Sequence, residues 1–96
     1  MYTNEMLDSI IAGIDSNKRD LEFHKLNLQR YENILQDKDL EEWEFKNKLI
    51  NEIPILQSRI KEVTLVIKYT EMQLEGVSEE DIIASRERIA LQSKQQ

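Results

Sequence analysis

Apolar residues recur along this chain with two periods that fit one another. In the first third, Leu7, Ile14, Leu21, Leu28 and Leu35 fall on every seventh position; later, Leu49, Ile53, Leu56, Ile60, Val63, Ile67, Thr70 and Leu74 step by alternating fours and threes. A repeat near 3.5 residues keeps one stripe of a helix turned toward a neighbouring helix, so both stretches read as seams of a supercoiled pair. The short polar segment Gln36-Asp37-Lys38-Asp39 between them offers a place to turn, which predicts a long antiparallel hairpin. Antiparallel helices that meet at one turn pair positions whose numbers add to a constant. Leu7 with Leu74, Ile14 with Ile67, Leu21 with Ile60 and Leu28 with Ile53 all add to 81, and Ile10 with Thr70, Asn17 with Val63, His24 with Leu56 and Tyr31 with Leu49 add to 80. Parallel self-dimers of each helix would leave this shared centre near residue 40 unexplained.

Capping chemistry sets the expected limits. Thr3 or Asn4 can cap a first helix over about 4–36, and Asp39 followed by Glu42 has the spacing of a capping box for a second helix over about 40–75. Pro54 removes one backbone donor inside that helix, yet the apolar ladder passes it in phase, which predicts a kink and not a break. Gly76 suits a left-handed helix end. Ser78 with Asp81, flanked by Val77 and Ile82, then predicts a capped and stapled third helix over about 79–92. The expected fold is all-α: a single domain made of a two-helix coiled-coil hairpin and a short C-terminal helix.

Both long helices are apolar on more than one side. At about 100° per residue, Phe23, Leu26 and Ile34 lie opposite Leu21 and Leu28, while Ile55, Leu65, Val66, Tyr69 and Met72 lie away from the second seam. A hairpin buries one stripe per helix, so these eight residues need other cover. The third helix could fold back over the 65–72 region, or a second copy could dock. The third helix carries too few apolar residues for both extra faces, so a homo-oligomeric helical bundle is expected, with these eight residues in self-association.

Composition narrows the function classes. The 96 residues carry a formal charge of −6, a third of them are charged, and there are two glycines, one proline and no cysteine. An acidic chain with no long basic cluster is a poor tracker of phosphate backbones, so direct nucleic-acid binding is not expected. Thiolate metal sites and disulfides are ruled out. The N-terminal residues lack a signal-peptide pattern, and no apolar run reaches the roughly 18 residues of a membrane span, which points to a cytoplasmic protein without a membrane anchor. No glycine-rich phosphate loop, nucleophile elbow or paired metal-ligand motif is present, so the chain reads as non-enzymatic, with no cofactor.

Four features bear on binding. His24 and Asn17 sit at seam positions, where polar residues commonly fix register; a lone histidine is not a ligand set. Asp39, Glu41, Glu42, Trp43 and Phe45 crowd around the turn as an acidic knob with a large aromatic, a candidate contact for a basic partner; carboxylates at a helix start are also favoured by its dipole alone. Arg59, Lys68 and Tyr69 could grip an anionic nucleotide between subunits, which would make the protein a ligand-sequestering sponge. Carboxylates elsewhere, Asp8, Asp15, Asp20, Glu22, Glu71, Glu75, Glu79, Glu80 and Asp81 among them, could together with the tip imitate the phosphate rows of a nucleic acid. Interleaved basic residues instead favour an ordinary solvated face.

A central Trp43 in a helical hairpin resembles the WXG-type secretion substrates. Here Trp43-Glu44-Phe45 stands in place of Trp-X-Gly, and Tyr69 is followed four positions later by Gln73 where they carry an acid, so no function is carried over. The acidic, Ile-, Asn- and Lys-rich composition is also similar to that of small accessory proteins of phages and low-GC bacteria. The function expected from all this is an oligomeric protein that binds and modulates another protein.

Overall fold

The computed structural model describes the backbone of residues 2–37 and 43–94 and contains three helices, α1 (Asn4–Leu35), α2 (Trp43–Met72) and α3 (Glu79–Lys94), with no strand among the described residues. The chain is all-helical. Its residues form two compact units, one of residues 1–18 with 66–96 and the other of residues 19–65.

The starts of α1 and α3 each have a capping side chain. Thr3 caps α1: its Oγ1 accepts from the Met6 N–H at 3.1 Å and its carbonyl from the Leu7 N–H at 2.9 Å. Ser78 does the same for α3, with Oγ accepting from the Asp81 N–H at 3.2 Å and the carbonyl from the Ile82 N–H at 3.1 Å. The expected caps are therefore in place, whereas the proposed cap at Asp39 and Glu42 lies outside the described residues. α2 runs through Pro54 without a break.

Helix limits differ from expectation at three ends. Residues 73–75, expected to be helical, form a turn: the N–H groups of Gln73, Leu74 and Glu75 reach back only three residues, to Thr70, Glu71 and Met72. This tighter spacing leads into Gly76 at φ 87°, the left-handed conformation that glycine adopts without steric cost. Gln36 belongs to the turn after α1, and α3 continues two residues beyond 92.

Burial follows the ladders. Every position of both is buried or half-buried, with Leu7, Ile14, Leu49, Leu56 and Ile67 the most enclosed; Ile11 is buried beside them. Thr70 is tolerated on the stripe because its hydroxyl donates to the Val66 carbonyl at 2.6 Å, leaving no buried donor unmet. His24 and Asn17 are both half-buried, and the His24 ring lies tilted against Phe23 at 6.3 Å between centroids.

Candidate functional site

In the unit of residues 1–18 and 66–96, α3 is fastened to the first turns of α1 by a polar cluster. Asp8 is at its centre. Arg88 grips it in bidentate fashion, Nη2 donating to Oδ1 at 2.7 Å and Nε to Oδ2 at 2.9 Å, while the Ser85 hydroxyl donates to Oδ1 at 2.6 Å. Two turns along α1, Asp15 Oδ2 accepts from Arg86 Nη1 at 2.6 Å. Ser85 is the most enclosed residue of the cluster, with no exposed surface. A residue this small lets two helices approach closely, and its donated bond satisfies the hydroxyl in a dry place. The hydrogen bonds from Arg88 and Ser85 hold the Asp8 carboxyl below its usual pKa, against a smaller opposing effect of desolvation; in return Asp8 raises the Arg88 guanidinium.

This cluster corrects one expectation. Asp8 and Asp15 do not lie on an ordinary solvated face; spaced seven apart, they share one side of α1 and receive the arginines of α3. Of the two covers considered for the apolar residues late in α2, α3 is not the one, since Val66, Tyr69 and Met72 keep 49%, 63% and 51% of their surface exposed. The buried face of α3 is committed to α1 through Ser85, with Ile82 and Ile89 half-buried on the same stripe. An isolated serine and two aspartates in a charged chain gave little warning of this cluster. The usable signal was the i, i+7 spacing of Asp8 and Asp15 against the Arg86 and Arg88 pair.

In the unit of residues 19–65, the residues assigned to self-association are largely open. Phe23 is 60% exposed, Leu26 45%, Ile55 46% and Leu65 42%, whereas Ile34 is half-buried. Phe45, from the candidate tip, is 39% exposed. Trp43 opens α2, but its side chain lies outside the described residues, as do Asp39, Glu41 and Glu42 altogether.

Arg59 and Lys68 are nine positions apart on α2, half a turn out of phase, and so lie on opposite sides of that helix. Tyr69 is exposed between those directions. A shared anionic ligand would have to be gripped from more than one copy. Among the described residues there is no group of three or more His, Cys, Asp or Glu able to hold a metal ion, and no helix long and apolar enough to cross a membrane. No protein-family model, curated protein or solved structure matches the chain.

Proposed function

We propose that this chain is a non-enzymatic helical-hairpin protein that self-associates and uses its remaining exposed surface to bind and modulate another protein. The observation that carries this reading is the exposure of large apolar residues on the sides of α1 and α2 away from the buried ladders: Phe23, Leu26, Ile55, Leu65, Val66, Tyr69 and Met72 are all more than two-fifths open. Surfaces of this kind on a charged helical protein mark places of association. The Trp43 and Phe45 region is the proposed contact for the protein partner.

The hairpin component draws support from the burial or half-burial of every position on both ladders, and from an ion pair between Lys18 Nζ and Glu71 Oε1 at 3.0 Å. Those two numbers add to 89, several residues beyond 80 or 81. Side chains on a helix lean toward its N-terminus, so in an antiparallel pair these two lean toward each other and close part of that gap.

Spin labels at positions 18 and 71 of one molecule, diluted with unlabelled protein, test the hairpin. Helices in contact run 8–10 Å apart, so label separations of about 2 nm are expected; several nanometres would overturn it. Mass in solution tests self-association, which a strict monomer would exclude. Trp43→Ala, with folding checked by circular dichroism, tests the partner contact by its loss of binding.

A further inference from the structure

The exposed side of α2 carries a charge pattern that a second copy of the same helix would complete. Within residues 19–65, Ile55, Arg59, Glu62 and Leu65 fall within an arc of about 120° on α2, facing away from the stripe Leu49, Ile53, Leu56, Ile60 and Val63. All four are exposed, Ile55 by 46% and Leu65 by 42%. Along the helix axis Arg59 and Glu62 stand between Ile55 and Leu65, with Arg59 at one edge of the arc and Glu62 near its middle. Their spacing would allow a bond along the helix, but neither has an ion-pair partner among the described residues.

We propose that this face is a two-fold symmetric docking surface for a second copy of the chain, α2 against α2 and antiparallel, with Arg59 of each copy opposite Glu62 of the other. The inference rests on the self-association reading above and assigns it a surface and a register. Charge selects that register. An antiparallel pair centred on residue 62 sets Glu62 against Glu62, and one centred on residue 59 sets Arg59 against Arg59. A parallel pair in register makes both repulsions. Only the centre midway between the two positions makes two attractive cross-pairs, and within one residue of that arrangement it brings Ile55 of each copy against Leu65 of the other. A symmetric interface must be self-complementary, and this arc is so in both its charged and its apolar members.

A charge-reversal cycle tests this by sedimentation analysis over a wide concentration range. Arg59→Glu alone and Glu62→Arg alone each turn two attractions into two repulsions and should weaken self-association by at least about tenfold. Combining them in one chain should restore it, and mixing the two single variants should give a heterodimer in preference to either homodimer. Circular dichroism checks that the variants stay helical, and formation of the heterodimer shows directly that both remain competent to associate. Single variants that self-associate like the original chain would overturn this surface while leaving self-association in place elsewhere. An original chain that stays monomeric throughout would overturn the self-association reading, and this inference with it.

Discussion

Removing the Ser85 hydroxyl tests the docking of α3 most directly, because the perturbation is one atom in a fully enclosed place. In Ser85→Ala the Asp8 carboxylate loses the 2.6 Å bond from the serine but keeps its bonds from Arg88. Hydrogen bonds to a charged acceptor contribute about 1.5–3 kcal/mol, and the remaining arginine should hold the loss to about 1–2 kcal/mol. The global stability of a chain of this length is on the order of 5–14 kcal/mol, so the loss is measurable as a lower urea midpoint with an unchanged slope. Ser85→Leu should cost more, about 1–3 kcal/mol from overpacking beyond the lost bond, because a residue with no exposed surface has nowhere to put extra methyl groups. It should also speed hydrogen exchange of the α3 amides ahead of those in α1. Equal stability of the original chain, Ser85→Ala and Ser85→Leu, with no change in α3 exchange, would refute the claim that α3 is seated through this residue.

Asp8 has a folded-state pKa below the ordinary aspartate value of 3.8, so its contribution is complete above that value and is lost as pH falls through the lower folded one. Asp8→Asn should therefore be less stable than the original chain at neutral pH and show a flatter stability curve on the acid side of that value; parallel curves would contradict the pairing. Ile11→Ala, at 1% exposure, should cost about 2–5 kcal/mol in urea unfolding, whereas Met6→Ala, at 51% exposure one and a half turns away, should cost well under half as much. Gly76→Ala adds a Cβ that meets nothing within 4 Å, so its cost of about 1 kcal/mol should come from the backbone at φ 87° alone; a neutral change in thermal unfolding would mean that the turn relaxes.

Helix positions were well legible from local chemistry. The caps at Thr3 and Ser78 and the left-handed Gly76 each rest on contacts between residues no more than four apart, which a sequence displays directly. The end of α2 was overestimated because its apolar ladder continues to Leu74 after the backbone has tightened toward Gly76; periodicity reports a face and not a hydrogen-bonding pattern. The fastening of α3 was not legible, since it joins residues 77 and 80 positions apart and uses side chains equally common on a wet surface.

Spacing alone determined that the chain is helical and which stripe of each helix is apolar enough to bury, because both follow from the 3.6-residue turn and from transfer of aliphatic side chains out of water. Which carboxylates stay in solvent, and which face of α3 is spent, was decided only in three dimensions. There the small, enclosed Ser85 lets α3 lie close against α1, and Arg88 finds both oxygens of Asp8 in a site only partly open to water. The same seating of α3 leaves Val66, Tyr69 and Met72 uncovered, an outcome that depends on competition between helix faces and so cannot be read from any one of them.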